Sequence, residues 1–248
     1  MFLCRNIGFS KLLLIAAIFL VTSFSSGKNK RYLRSILPMS SIQNGENKNY
    51  LALGDSYTIG ESIPANERYP VQAVKMLEQS GIHFDPPQII ATTGWTTADL
   101  LSAIDKTQFA GKYDIVSLLI GVNNQYQGRS KPEYEKEFTE LLEKSIQLAG
   151  NRPDQVIVLS VPDYSITPFA HNSDISRIAA EIDAFNIINK KISAAHHVHY
   201  ISVTEESRKA KDDPSLIAED GLHFSGKEYA IWAGMLAEVI QNIIRNKK

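Results

Sequence analysis

The 248-residue chain has one cysteine, almost no net charge (formally −1), and no apolar run of the length that crosses a bilayer. Each absence excludes a class of protein. Cys4 stands before the N-terminal apolar run, not after it where a lipid-modified cysteine would follow a signal, and removing that segment would leave no cysteine. A disulfide framework is therefore excluded, and a domain of about 220 residues buries enough surface to fold without one, even in an oxidising compartment. The balanced charge gives no broad electrostatic hold on phosphate backbones, so no nucleic-acid partner is expected. The apolar run, Leu12 to Val21, is shorter than the roughly 20 residues of a spanning helix.

What is present begins with that run. Arg5 and Lys11 precede it and small polar residues follow, Thr22, Ser23, Ser25 and Ser26, which is the layout of a secretory signal peptide over residues 1–27. Cleavage near Ser25 to Gly27 would export the remainder to the periplasm or medium without stable membrane insertion. An uncleaved anchor is the competing reading. Residues 28–48, with Lys28, Lys30, Arg31 and Arg34, read as a polar, basic lead-in with no sustained period.

From residue 49 to 248 the chain reads as one domain. With 44% apolar and 21% charged residues it can bury a substantial core. Short apolar runs alternate with helical patterns, the rhythm of an α/β fold. The strand windows are 50–53, 88–91, 114–120, 155–161 and 198–203, mostly continuous apolar runs, as expected when both sheet faces are covered. Between them, Ile175, Ile178, Ile182, Phe185, Ile188 and Ile192 form one helical stripe. Tyr134, Phe138, Leu141, Leu142 and Ile146 form a second, and Ile231, Met235, Val239 and Ile240 a third. Right-handed crossovers then put helices on both faces of a parallel sheet, with a site at the carboxyl ends of the strands.

Four segments there bear chemistry. The first strand window runs into Gly54-Asp55-Ser56, which presents a serine at the edge of the sheet. Asp220-Gly221-Leu222-His223 sets a carboxylate three residues before an imidazole, close enough for one turn to join them, so that the aspartate could fix the tautomer of a histidine base. Thr93-Gly94-Trp95 follows the second strand and Gly121-Val122-Asn123-Asn124 the third. A glycine N–H and an asparagine amide are suitable donors to a developing oxyanion. Each motif alone is as readily an ordinary turn or cap. Four falling in order at strand ends are much less easily dismissed.

With these residues the chain resembles the SGNH (GDSL) hydrolases, whose four blocks contribute serine, glycine, asparagine and histidine in that order; Ser56, Gly94, Asn123 and His223 match. The resemblance extends from about Tyr50 to the C-terminal helix. It implies a three-layer α/β/α fold with a flavodoxin-like, five-stranded parallel sheet and a Ser56–Asp220–His223 triad. It also implies an oxyanion hole of the Ser56 N–H, the Gly94 N–H and the Asn123 side chain. The implied reaction is cleavage of a small-molecule or glycan acyl ester through an acyl-enzyme, with no cofactor and no metal, and with activity rising as the histidine loses its proton. One position departs: the third block of the family usually reads Gly-x-Asn-Asp, and Asn124 stands where the aspartate would be. An amide keeps an acceptor, gains a donor and loses the charge, so altered loop packing or substrate preference is expected.

Other signals carry less. Gly221 to Glu228 nearly spells a phosphate-binding loop but has a glutamate where a metal-binding hydroxyl is required. His196, His197 and His199 lack a carboxylate at regular spacing and read as surface histidines. The Gly-x-Ser-x-Gly elbow of the α/β-hydrolases is absent. Trp95, Tyr126, Tyr164 and Phe169 fall in loops after strands two to four and could line a substrate pocket or cap the core. The natural ester stays open between short-chain or acetyl esters of carbohydrates or lipids and lysophospholipid or thioester substrates. A catalytically silent carbohydrate-binding module is the alternative from another class. The sequence does not decide the oligomeric state.

Overall fold

A computed structural model describes residues 47–246. The signal-like segment 1–27 and all but the end of the lead-in lie outside the described residues. That end, Asn47 and Lys48, belongs to the folded domain. The Lys48 N–H donates to His83 O at 3.0 Å, and Lys48 O accepts from Asp85 N at 2.9 Å.

Five parallel strands form one sheet: β1 (Tyr50–Gly54), β2 (Gln88–Ala91), β3 (Ile115–Leu119), β4 (Val156–Leu159) and β5 (His199–Ile201). Their order is β2-β1-β3-β4-β5, the flavodoxin-like order implied above. Alternate side chains enter the two faces. Tyr50, Ala52, Ile115, Leu119, Ile157 and Leu159 join one apolar core, while Leu51, Leu53, Val116, Leu118, Val156 and Val158 join the other. This explains why the central strands read as unbroken apolar runs: β1, β3 and β4 are buried on both sides.

Among the described residues, eight α-helices complete the layers: α1 (Ser56–Ile59), α2 (Tyr69–Gln79), α3 (Thr97–Lys106), α4 (Val122–Tyr126), α5 (Lys131–Leu148), α6 (Ile175–Ala195), α7 (Thr204–Arg208) and α8 (Gly226–Arg245). Helices α2 and α8 pack together over the first core, while α3 and α5 cover the second together with the C-terminal half of α6. Local chemistry sets the helix starts. Thr96 and Asp99 form a reciprocal capping box on α3, and the Ser130 and Asp174 side chains accept backbone N–H groups of α5 and α6.

Two expectations shift. The α8 stripe is centred on Tyr229, Trp232, Ala233, Leu236, Ala237, Ile240 and Ile243; Ile231 is exposed, and Met235 and Val239 are only half-buried. Periodicity found the helix and the buried Ile240 but otherwise chose a flank, because α8 is apolar on more than one side and Ile231, Met235 and Val239 are as apolar as the buried Trp232, Leu236 and Ile243. The third, fourth and fifth strands also end earlier than their apolar runs. Beyond β4, for example, Ser160 turns its hydroxyl to accept the Val203 and Thr204 N–H groups at 2.9 and 3.0 Å.

Candidate active site

The register brings three loops level. Gly54 at the end of β1 faces Ala91 of β2 on one side and Leu119 of β3 on the other. Ser56, Gly94 and Asn123 each follow within a few residues of those strand ends, at the point where the chain order reverses and open α/β sheets bind ligands. Gly54 itself is fixed by a close approach: a Cβ there would lie 2.1 Å from Thr58 Oγ1 and 2.5 Å from Leu119 O.

Ser56 is the first residue of α1, and the Asp55 side chain caps this turn by accepting the Tyr57 N–H at 3.1 Å. Asp55 is fully buried and its second oxygen has no partner, so burial pushes its carboxyl up to about 7. His223 precedes α8, with Nδ1 2.5 Å from Asp220 Oδ2. Asp220 also accepts from the Leu222 and His223 N–H groups, both at 2.9 Å, and from the Ser62 hydroxyl at 2.6 Å. Partial burial alone would raise its carboxyl, but these four donors outweigh it and hold the group well below the usual carboxylate range. Tyr57 backs the imidazole edge-on at 5.5 Å. With Nδ1 engaged by a carboxylate, Nε2 is left as the free base.

Ser56, Gly94, Asn123 and His223 line one cavity of about 160 Å³, together with Tyr57, Thr93, Val122, Tyr126, Tyr164, Phe169 and Leu222. Among the described residues, Ser56 Oγ makes no hydrogen bond to His223; serine and imidazole share a wall without being joined. Nothing lies within 4 Å of where a Gly94 side chain would start, so that backbone faces open space. Asn123 donates one amide hydrogen to Trp95 O at 2.9 Å, and its second remains for a ligand.

Of the aromatic candidates, Tyr126 and Phe169 are 61% and 48% exposed and meet Tyr164 with ring centroids 6.3 Å from it in both cases, so they form a rim rather than a core cap. Trp95 is not brought to the cavity: its ring packs against the core under α3 and only its carbonyl serves the site, through Asn123. His196, His197 and His199 lie around the end of α6 and the start of β5, away from the cavity lining. Sequence reasoning missed Ser62, Tyr57, Thr93, Val122 and Leu222. Proximity to a motif could have suggested Tyr57 and Leu222, whereas Ser62 reaches Asp220 only through the fold.

A larger, open groove of about 1170 Å³ is lined by Pro168 and Gly221, the chain neighbours of the cavity residues Phe169 and Leu222, and Thr167, His171, Asn172, Ser176 and Lys211 are among its other lining residues. It contains none of the four motif residues.

A parallel α/β/α sheet that gathers a serine, a carboxylate-held histidine and amide donors at its carboxyl edge has the layout of a carboxylic ester hydrolase. The chain belongs to the GDSL-like lipase/acylhydrolase family, whose model matches residues 52–231. No protein of curated function matches it in sequence. Solved structures share the fold. A lipase/acylhydrolase from Enterococcus faecalis is 22% identical, with a TM-score of 0.61 over 79% of this chain and 96% of that one. An acetylxylan esterase from Geobacillus stearothermophilus is 19% identical, with a TM-score of 0.60 over 79% and 95%. A psychrotrophic esterase from a Pseudoalteromonas species, inhibited by monoethylphosphonate in its structure, is 15% identical, with a TM-score of 0.60 over 80% and 100%. Among the described residues, no helix is long and apolar enough to cross a membrane, and no group of three or more His, Cys, Asp or Glu residues could hold a metal ion.

Proposed function

We propose that the chain is an exported serine esterase that removes short acyl groups, acetyl foremost, from carbohydrate or lipid esters. The observation that carries this reading is the convergence of Ser56, Gly94, Asn123 and His223 on one cavity, with Asp220 hydrogen-bonded behind the histidine.

In this reading His223 Nε2 takes the Ser56 proton as Oγ attacks the ester carbonyl. The oxyanion receives hydrogen bonds from the Ser56 N–H, which has no carbonyl partner at the start of its helix, from the Gly94 N–H and from the second Asn123 amide hydrogen. Collapse expels the alcohol with the imidazolium proton and leaves an acyl-serine. Water then repeats the sequence and releases the acid.

Two features favour a short acyl group on a larger alcohol. The cavity is about 160 Å³, below the roughly 300 Å³ at which drug-sized sites begin, and the rings of Tyr57, Tyr126, Tyr164 and Phe169 bound it. The larger groove offers hydroxyl, amide, imidazole and ammonium groups to a polar leaving group. The acetylxylan esterase with the same fold is consistent with a glycan substrate. Export rests on the basic residues, apolar run and small polar residues of the first 27 positions.

The test is hydrolysis of p-nitrophenyl esters from acetate to laurate by the purified full chain beside Ser56→Ala. Serine-dependent turnover with an optimum at acetate to butyrate is expected. An optimum at long chains would replace the short-acyl reading with a lysophospholipase or thioesterase one. Equal rates for both proteins on every ester would refute the esterase, and glycan binding without turnover would point to a silent module.

A further inference from the structure

We infer that Glu137, acting through the Thr97 hydroxyl on Asn124, positions the two loops that carry Gly94 and Asn123, and that Glu137 is the reason residue 124 is an amide. The inference rests on the oxyanion reading of those loops. Asn124 is buried beside the cavity; its Oδ1 accepts the Thr97 N–H at 3.0 Å and its Nδ2 donates to Thr97 Oγ1 at 2.6 Å. The Thr97 hydroxyl in turn donates to the Glu137 carboxylate on α5. Thr97 opens α3, just past Gly94 and Trp95, and Asn124 follows Asn123. Together with the Asn123 to Trp95 bond, this network pins one loop against the other.

The proton count decides which residue fits. Thr97 has one hydroxyl hydrogen, and Glu137, which can only accept, holds it. Residue 124 must therefore donate to Thr97 Oγ1, which an amide can do and a carboxylate cannot. Aspartate, usual at this position in the family that the sequence resembles, would set two carboxylates on one hydroxyl. Glu137→Gln keeps every bond, since the hydroxyl can donate to the new amide oxygen. With glutamine at 137, aspartate at 124 becomes acceptable and the chain runs in reverse: the residue 137 amide donates to Thr97 Oγ1, whose hydrogen passes to residue 124.

The experiment is a double-mutant cycle of N124D, E137Q and N124D/E137Q in the full chain, beside Ser56→Ala. Thermal melts are recorded and p-nitrophenyl acetate turnover is scaled to sites titrated with a phosphonate. In N124D kcat should fall roughly tenfold with KM within about twofold, a share of the 10²–10³-fold lost when an oxyanion donor is removed outright. E137Q should stay within about threefold of the parent, and the double variant should recover to a similar level, a non-additivity expected only of groups in one network. N124D as active as the parent, or a double variant no better than N124D, overturns the inference. Coupling in the melts with unchanged kcat per site overturns the positioning role and reduces the network to a structural one. Turnover undiminished in Ser56→Ala would instead sink the esterase reading, and the positioning role would fall with it; an additive melting cycle would then sink the network too.

Discussion

Replacing Asp55 by asparagine should change how stability depends on pH. Asp55 caps the turn that starts with Ser56, is fully buried, and leaves one oxygen without a partner among the tyrosines Tyr57, Tyr69, Tyr134 and Tyr229. Burial raises all four phenols above their ordinary range, so they stay neutral while the carboxyl titrates. The carboxyl rises from 3.8 to about 7, chiefly by loss of solvation, with the Tyr57 N–H partly opposing. A raised folded-state value means that the native state holds a proton the unfolded chain has released. The contribution to stability is therefore full below pH 3.8 and is lost as pH climbs to about 7. At 1.36 kcal/mol per unit, the part falling between pH 5 and 8 is about 2 to 3 kcal/mol. Asparagine keeps the capping acceptor and does not titrate. Urea denaturation at pH 5 and 8 should show the parent losing about 1 M more in midpoint than Asp55→Asn, at a slope of about 2 to 3 kcal/mol/M. Parallel pH dependence in the two proteins would refute the argument and mean that the partnerless oxygen is solvated in solution.

Three other outcomes are expected. Asn123→Ala should lower kcat roughly 10²- to 10³-fold, with little change in KM, in steady-state kinetics on p-nitrophenyl acetate. Ser62→Ala removes the 2.6 Å donor to Asp220, whose depressed carboxyl is needed in its ionised form. The variant should therefore turn over p-nitrophenyl acetate more slowly than the parent at every pH at which the parent is active, because the carboxylate holds the His223 ring less firmly. The accompanying drop in kcat should be about fivefold, because the pair is partly solvated. Gly121→Ala would place a Cβ 2.7 Å from the Tyr134 ring at a φ of +133°, so its melting temperature should fall by roughly 5 °C or more.

The parts of the fold that were readable follow from periodicity. All five strand windows hold a strand, and the α5 and α6 stripes face the core except at Ile175, which is exposed at the first position of its helix. Apolar periodicity reports which side of an element leaves water, and a strand or long helix repeats that message at every turn. It set the α8 stripe a flank over because Ile231, Met235 and Val239 are as apolar as the buried Trp232, Leu236 and Ile243, and it overran the strand ends because an apolar run does not say where ladder pairing stops. The four motif residues were also legible, since each occupies a short turn whose chemistry is local.

Local chain chemistry could therefore determine the α/β class, the parallel sheet, the serine, glycine and asparagine just past strand ends, and the Asp220 to His223 contact within a single turn, although the histidine lies not at a strand end but just before α8. Tertiary structure alone decided which distant groups meet. Level strand register brought three loops to one cavity, turned Tyr126 and Phe169 to its rim and sent Trp95 to the core. It also set Ser62 on Asp220 and Glu137 on Thr97, 158 and 40 residues apart in the chain. Such pairings leave no trace in spacing, because a hydrogen bond between distant segments is fixed by how whole elements pack and not by the residues beside it.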